Sequence, residues 1–371
     1  MINRKVLLIT MGGTIAGKVA NEVTEGEQIK GSDQFTSVLE NTVISIRETA
    51  QVDVELGHIA LCDIDSSNIM PQQWVDLAQI IKDEYDNYDA FIITHGTNTM
   101  GYTSSAISFA LPNLNKPVII TGSQVPAGMP GSDAITNLEN SLRVAVLNDR
   151  GLDYRIKGVV AVFGSNIVTG TRVKKATEFD YDAFTSFGTE SLGRIGRIMD
   201  INWENLELHN SYMQSGTYRP AKSASKLICI NEFNTNITSV TEFPGMDETI
   251  FETLIEKNNI QGFILRAFGA GDATTRLLPV LRKLKEKEIP IVITSQIPNG
   301  NSNFQVNDPG AMIAKENLGI PAYDMSIEAQ TTKLAWLLAK KEKGEITYDQ
   351  LCREMTNNIR GEVRVIWEIK M

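Results

Sequence analysis

The stretch Ala90-Phe91-Ile92-Ile93-Thr94-His95-Gly96-Thr97-Asn98-Thr99-Met100 joins an apolar run to a group of hydroxyl, imidazole and amide side chains. The run at 90–93 predicts a buried parallel strand, and the segment 102–111 predicts a helix. Ligands bind at the carboxyl ends of the strands in open α/β sheets, so this turn is a candidate ligand site. Taken alone, the pattern favours a simpler interpretation, a polar turn in which Thr or Asn caps the helix.

A second turn of the same kind favours the ligand site. The apolar run Val6-Leu7-Leu8-Ile9 leads into Thr10-Met11-Gly12-Gly13-Thr14-Ile15-Ala16. Two adjacent glycines let the backbone turn sharply and approach a ligand closely. The turn has neither the GxGxxG nor the GxxxxGK[ST] spacing, so it matches neither phosphate-binding motif.

Two other polar segments stand out. Asp65-Ser66-Ser67 precedes a helix whose apolar residues recur at helical spacing, and it fits a helix cap and a ligand-binding turn equally well. The segment 18–35 is polar, contains two glycines and has no clear period. Its length is typical of functional or disordered loops, so we expect a lid over the turn that precedes it.

Strands and helices alternate along the chain, which predicts an α/β fold with a doubly wound parallel sheet. Further apolar runs at 118–120 and 159–163 extend the first sheet, and runs at 227–230, 263–265 and 291–293 indicate a second α/β region. We therefore expect a larger N-terminal domain at 1–205, a connection at 206–224 and a smaller C-terminal domain at 225–371.

The composition is that of a globular chain of 371 residues, of which 42% are hydrophobic, with a formal net charge of −10. That charge argues against nucleic acids and anionic membranes as partners. Three cysteines without CxxC spacing argue against a disulfide framework or a zinc site. No stretch approaches the roughly 20 apolar residues of a membrane helix. We expect a cytoplasmic protein.

The turns taken together resemble the bacterial-type L-asparaginase family, which includes glutaminase-asparaginases, and most closely its cytoplasmic type I branch. The resemblance runs from Met11-Gly12-Gly13-Thr14-Ile15-Ala16 to Asn357-Asn358-Ile359-Arg360-Gly361-Glu362. It is specific because Gly-Gly-Thr-Ile-Ala and His-Gly-Thr-x-Thr-Met occur together at this spacing. It implies a larger N-terminal and a smaller C-terminal α/β domain, in a homodimer or homotetramer with sites at subunit interfaces.

The resemblance also implies a reaction and its residues. The family hydrolyses a side-chain amide through a covalent β-aspartyl enzyme, without a metal or another cofactor. Thr14 matches the nucleophile, Thr97 the second threonine, and Lys175 the lysine paired with it. Ser66 matches the residue that binds the α-carboxylate of the substrate, and Ser67 lies beside it. This chemistry suits the residues, because a threonine hydroxyl needs a nearby base or cation to act as a nucleophile.

The chain departs from the family pattern in three places. Asn98 stands where the family has an aspartate that holds the substrate α-ammonium and contacts the lysine, and Asp272 stands where the family has an asparagine. The segment 18–35 contains no tyrosine, although many members place a catalytic tyrosine there. In the family both exchanged positions face the substrate amino group, so we interpret the exchange as a relocation of the anion. The rival explanations are an engineered inactivating change at Asn98 and a substrate other than L-asparagine.

His95 and Arg266 are both expected to have structural roles. His95 is interpreted as a hydrogen-bonding residue rather than the catalytic base. Arg266 matches an arginine that helps to bind asparagine at an allosteric site in some type I members. Lys174 and Ile297 do not resemble the partners expected there, which argues against allostery.

The leading hypothesis is therefore hydrolysis of L-asparagine to L-aspartate and ammonia. The first alternative is an amidase acting on L-glutamine, a D-isomer or a modified amide. A related archaeal group acts on glutaminyl-tRNA but carries an extra N-terminal domain, whereas this chain starts at its first strand, so tRNA is not expected. The second alternative is a non-catalytic, ligand-binding homologue.

Overall fold

The computed structural model describes residues 2–12, 32–147, 156–213, 226–304 and 307–364. The chain divides into two compact units, Met1–Asn231 and Glu232–Met371, and each contains a sheet with helices. This architecture confirms the predicted fold class, a larger N-terminal and a smaller C-terminal α/β unit.

The first unit is built on an eight-stranded sheet. Its parallel strands are β1 (Ile2–Thr10), β2 (Val52–Ala60), β3 (Ala90–Thr94), β4 (Pro117–Thr121) and β5 (Gly158–Phe163). Its antiparallel extension is β6 (Asn166–Thr169), followed in space by β9 (Gly193–Ile195) and β10 (Met199–Ile201), while β7 (Val173–Lys175) and β8 (Phe184–Ser186) form a separate pair. Strands β3 and β4 are buried along their whole length, which explains why their sequences are continuously apolar.

The helices of this unit are α1 (Ser32–Ala50), α2 (Pro71–Asp83), α3 (Met100–Ala110), α4 (Ala134–Ala145) and α5 (Trp203–Tyr212). Helix α2 buries Trp74, Leu77, Ala78 and Ile81, the apolar stripe expected from its sequence, and it begins with a proline. Helix α3 is buried around almost its whole circumference, and it fits there because many of its residues are small.

The order β2-β1-β3-β4-β5 places a topological switch point between β1 and β3. These two strands pair in parallel with Thr10 beside Thr94, and the N–H of Met11 donates to the carbonyl of Thr94 over 3.0 Å. The strands that follow them along the chain, β2 and β4, lie on opposite sides, so the connecting loops diverge. Both turns that the sequence singles out leave the sheet at this point, where open α/β sheets bind ligands.

The boundary between the units falls between Asn231 and Glu232, later than the connection expected at 206–224. The expected connection begins inside helix α5, whose Leu206 and His209 are buried, while residues 214–225 lie outside the described part. Only two of the ten residues of α5 are buried, so its sequence has a weak helical period and resembles that of a connection. The segment 226–231 also stays with the first unit, because Ile230 N–H donates to the carbonyl of Ala110.

The second unit has a four-stranded parallel sheet in the order β11 (Ile237–Thr241), β12 (Gly262–Ala267), β13 (Ile291–Ser295) and β14 (Ile320–Pro321). Its helices are α6 (Thr249–Asn258), α7 (Leu278–Glu286), α8 (Asp308–Glu316), α9 (Ile327–Glu342) and α10 (Tyr348–Thr356). Across the described ranges of both units, none of the helices has the length and apolar character needed to cross a bilayer.

Candidate active site

The turn after β3 brings four of the predicted site residues together. Lys175, at the end of β7, donates from Nζ to Thr97 Oγ1 over 2.9 Å and to Asn98 Oδ1 over 3.2 Å. The amide of Asn98 in turn donates from Nδ2 to Ser67 Oγ over 3.1 Å. Thr97 is buried, Asn98 and Ser67 are exposed, and the lysine side chain is 14% exposed. The cluster therefore reaches from the sheet edge to the surface.

The turn at 65–68 forms the second side of this cluster. Its first serine, Ser66, begins a short 3-10 helix that Asp65 caps by accepting the N–H of Ser67 over 2.8 Å. That backbone hydrogen bond and one from the Ser67 side chain lower the pKa of Asp65. Ser66 is buried against Gly96, where an added Cβ would lie 2.6 Å from Ser66 Oγ. Asp65 therefore caps this short helix and not α2, whose N-cap is Met70, and the turn sets both serines beside the Thr97 turn.

The first turn is described only to Gly12, and Thr14 lies outside the described residues, as does most of the segment 18–35 that we expect to be a lid. Helix α1 includes the last residues of that segment, from Ser32 onward. Gly12 has a φ of +78°, and a Cβ there would lie 2.5 Å from the backbone nitrogen of Ile64. Only glycine fits this backbone conformation and this close approach.

His95 lies under the turn, with both ring nitrogens engaged. Its Nδ1 is 2.7 Å from the carbonyl of Gly96, so Nδ1 carries the proton and Nε2 accepts from Thr103 Oγ1 over 2.8 Å. The hydroxyl of Thr103 accepts in turn from Trp74 Nε1 over 3.0 Å. Burial lowers the pKa of His95 to about 4, despite the hydrogen bond to Gly96. A neutral, fully hydrogen-bonded imidazole suits the structural role expected from the sequence and not that of a base.

The residue that the sequence analysis missed is Glu178. Its Oε2 accepts from Lys175 Nζ over 2.7 Å, and its side chain is 69% exposed. Its backbone carbonyl accepts from the side-chain amide of Gln124 over 3.1 Å, and the carboxylate of Asp133 accepts the backbone N–H of Gln124 over 3.0 Å. The sequence feature that could have identified Glu178 is its position three residues after the candidate lysine, Lys175.

Asp272 belongs to the second unit. It closes the tight turn 268–272 after β12, in which Phe268 and Asp272 exchange backbone hydrogen bonds of 2.9 Å. The side-chain amide of Asn307 donates to its carboxylate, a contact that the sequence did not predict. Arg266 precedes this turn within β12, and its carbonyl accepts the side-chain amide of Gln296.

Two family models match the chain. The model described as Asparaginase, N-terminal matches residues 5–207, and the model described as Glutaminase/Asparaginase C-terminal domain matches residues 236–348. The first match alone spans more than half of the chain.

Individual relatives match most of the chain as well. L-asparaginase 1 of Escherichia coli is 32% identical over 303 residues, which cover 81% of this chain and 82% of that protein. A glutamyl-tRNA(Gln) amidotransferase subunit of Sulfolobus acidocaldarius is 29% identical, over 100% of this chain and 78% of that protein.

Among solved structures, L-asparaginase I from Vibrio cholerae is 28% identical and has a TM-score of 0.79, covering 98% of this chain and 100% of that one. These comparisons confirm the resemblance predicted from the two threonine motifs, including its type I character. The chain therefore belongs to the asparaginase family, and it is an amidohydrolase of that family.

Proposed function

We propose that the protein hydrolyses the side-chain amide of L-asparagine to L-aspartate and ammonia through a covalent acyl-threonine intermediate. The observation that carries this proposal is the 2.9 Å hydrogen bond from Lys175 to Thr97 beside the switch point of the sheet. A hydroxyl and a lysine in contact can move the protons that acyl transfer requires. Relatives that are named L-asparaginase support the choice of substrate.

The direction of this hydrogen bond supports a role for the hydroxyl of Thr97 in proton transfer. A lysine ammonium has three donors and no acceptor, so it donates to the oxygen of Thr97. The hydroxyl hydrogen of Thr97 is therefore directed away from Lys175 and is available to a reacting group. Once Lys175 has released a proton, the same pair can accept one from an attacking hydroxyl or water by way of Thr97.

Thr14 is the proposed nucleophile, through its match to the first family motif. Its oxygen attacks the amide carbonyl carbon, its proton passes to the amide nitrogen, and ammonia leaves behind an ester. A water molecule then attacks the ester carbonyl, and one water proton passes through Thr97 and Lys175 to the departing Thr14 oxygen. Backbone N–H groups of the glycine-containing turns are the proposed donors to the developing oxyanion.

The proposed substrate contacts use the polar turns around this pair. Ser66 and Ser67 are assigned to the substrate α-carboxylate, and Asn98 and Asp272 to its α-ammonium. The contact between Asn98 and Ser67 supports a shared role for the two residues in binding an amino acid. Because the amide at Asn98 carries no charge, the anion for the ammonium is assigned to Asp272.

The remaining parts of the proposal follow from the family resemblance. The substrate is a small amino-acid amide, and the scheme uses no metal and no other cofactor. We further propose a homodimer or homotetramer that works in the cytoplasm, as the resemblance to the type I branch implies.

The decisive test is ammonia release from a panel of amides by the wild type and Thr14→Ala. We expect release from L-asparagine by the wild type and none by Thr14→Ala, with an unchanged thermal unfolding curve. Mass spectrometry of a rapidly quenched reaction should place the acyl group on the peptide that contains Thr14. An adduct on Thr97 would overturn the assignment of the nucleophile, and no release from any amide would overturn the activity.

A second candidate is hydrolysis of another amide, such as L-glutamine, a D-isomer or a modified amide. The observation that favours it is the whole-chain match to a protein named as part of a glutamyl-tRNA(Gln) amidotransferase, together with the uncharged residue at Asn98. The net charge of −10 argues against a nucleic acid substrate. The same panel separates this candidate from the first, and ligand binding without ammonia release would indicate a non-catalytic homologue.

A further inference from the structure

Lys175 is surrounded by three acceptors of different kinds. Its ammonium donates to a hydroxyl oxygen of Thr97, to the amide oxygen of Asn98 and to a carboxylate oxygen of Glu178, over 2.9, 3.2 and 2.7 Å. An ammonium has three N–H donors, so this set uses all of them. Glu178 alone supplies a negative charge among these three acceptors, and it makes the shortest contact.

Because Lys175 is partly buried, its ammonium needs a negative charge nearby to compensate it. The lysine side chain is 14% exposed, so its ammonium has lost most of its contact with water. A charge removed from water is costly unless a partner compensates it. Asn98 satisfies a donor without adding an anion, because its amide is neutral. The compensating anion is therefore the carboxylate of Glu178, in the turn that follows Lys175.

The backbone of that turn is held in place although the Glu178 side chain is exposed. Gln124 donates from its side-chain amide to the carbonyls of Glu178 and Asp180, over 3.1 and 3.4 Å. The N–H of Ala176 donates to the carbonyl of Ala183 over 2.8 Å. A fixed backbone on both sides of Glu178 lets its side chain direct Lys175 toward Thr97.

We propose that Glu178 is a positioning residue for the amide hydrolysis, which holds the Lys175 ammonium on the oxygen of Thr97. This inference rests on the proposed function, because it assigns Lys175 and Thr97 to proton transfer. The competing interpretation is an exposed ion pair three residues apart, and such pairs contribute little to stability. The two interpretations differ in what the removal of the carboxylate does to turnover.

The test compares kcat and KM for L-asparagine in the wild type, Glu178→Gln, Asp180→Asn and Asn98→Asp combined with Glu178→Gln. Asp180→Asn is the matched control, because it removes the same charge two residues along the same turn. We expect Glu178→Gln to lower kcat about tenfold with KM within about twofold, the loss of one charge-assisted hydrogen bond. Asp180→Asn should keep the wild-type kcat.

The double variant is the readout that a purely structural role would not move. Asn98 Oδ1 lies 3.2 Å from Lys175 Nζ, so Asn98→Asp supplies a new carboxylate to the same ammonium. Because Asn98→Asp also adds a carboxylate beside the proposed substrate site, kcat is compared at the pH optimum of each variant. We then expect the double variant to restore at least half of the kcat that Glu178→Gln loses. Wild-type kcat in Glu178→Gln, equal losses in Glu178→Gln and Asp180→Asn, or no recovery in the double variant would each overturn the inference.

The design separates this inference from the proposed function. If the wild type releases no ammonia, the proposed function fails, and the inference that rests on it fails with it. If the wild type is active and Lys175→Met is inactive, the proposed function stands, and the Glu178 series alone decides the role of the carboxylate. Crystal structures of the wild type and Glu178→Gln add a readout that is independent of activity, because the Nζ–Oγ1 distance should be longer in the variant than in the wild type.

Discussion

Two lysine–glutamate pairs in this protein have almost the same length and very different surroundings. Lys175 Nζ lies 2.7 Å from Glu178 Oε2, and the two side chains are 14% and 69% exposed. Lys333 Nζ lies 2.6 Å from Glu362 Oε1, and both side chains are fully buried. The first pair lies at the candidate site of the first unit, and the second lies in the core of the second unit.

The difference lies in the other partners of each lysine. Lys333 also donates to the carbonyls of Met355 and Asn357, which are fixed backbone acceptors. It therefore ties the end of α10 and the segment that follows it to helix α9, and it has no donor left for chemistry. Lys175 gives one donor to the hydroxyl of Thr97, a group that can itself gain or lose a hydrogen bond to substrate. The two pairs therefore differ in partner type and burial rather than in distance, and this difference separates the structural Lys333 from Lys175, which is proposed to act in catalysis.

The largest expected effect is on turnover, in Lys175→Met. Removing one member of a group that acts together in catalysis typically costs about ten-thousandfold in kcat. The free energy of unfolding should change by less than about 1 kcal/mol, since the carboxylate of Glu178 that loses its partner is exposed and remains hydrated. Steady-state kinetics and urea unfolding of the same preparation test both parts. Wild-type turnover in Lys175→Met would remove the distinction between the two lysines.

Asp272→Asn should also act on turnover rather than on the fold. The carboxylate of Asp272 accepts a hydrogen bond from the neutral amide of Asn307, so its charge remains available to a substrate ammonium. Breaking a buried charge pair from one side costs about 3–5 kcal/mol, which corresponds to roughly a hundred- to several-thousand-fold in kcat/KM.

A compensating exchange controls for the Asp272 prediction. Asn98→Asp combined with Asp272→Asn restores one carboxylate and one amide, and it should recover much of the lost kcat/KM. Asn98→Asp alone should disturb the pH–rate profile, because it adds a second carboxylate. If Asp272→Asn is as active as the wild type, the ammonium partner lies elsewhere, and a different substrate becomes the better explanation.

Lys333→Met should show the opposite pattern, a loss of stability. It leaves the carboxylate of Glu362 buried without its cation, which typically costs about 3–5 kcal/mol. Lys341→Met is the matched control on the same helix, because Lys341 pairs with Glu288 at the surface and should cost less than about 1 kcal/mol. Chemical unfolding measures both variants, and equal losses would contradict the contrast drawn between buried and exposed pairs.

The buried Lys333–Glu362 pair should also make the free energy of unfolding depend on pH. Burial alone would raise the pKa of Glu362, but the Lys333 ammonium and the N–H groups of Arg360 and Ile359 together hold that pKa below its unfolded value of 4.5. The pair therefore stabilises the fold above pH 4.5, and this contribution is lost as the pH falls through the folded pKa. Glu362→Gln should have a flatter dependence of unfolding free energy on pH in this range than the wild type.

The smallest expected effect concerns His95, which is buried like Lys333 although it lies under the candidate site. Its pKa is lowered to about 4, so the folded protein keeps it neutral while the unfolded chain binds a proton below pH 6.5. Its contribution to stability is complete above pH 6.5 and is lost as the pH falls toward 4. Nitrogen chemical shifts of the ring should show a neutral Nδ1–H tautomer at pH 5.5. A charged ring at that pH would place His95 among the groups that can act in catalysis.

Much of the site could be predicted because its residues directly follow apolar runs that are easily recognised in the sequence. Continuous apolar runs identify buried parallel strands, and the polar residues directly after them must lie at the carboxyl edge of the sheet. Thr97 and Asn98 lie in the turn directly after β3, as this pattern predicts. Helix α5 marks a limit of such patterns, because it buries too few residues to show a helical period.

The sequence by itself determined the α/β class, the family and the candidate residues. These depend on the local pattern of apolar residues and on short motifs of consecutive residues. Only the tertiary structure decided which carboxylate accompanies each lysine. Lys175 and Thr97 are 78 residues apart, and Lys333 and Glu362 are 29 apart, so no local pattern relates them. Their contacts arise from the order of strands in each sheet and from the packing of helix α9, which bring distant segments within hydrogen-bonding distance.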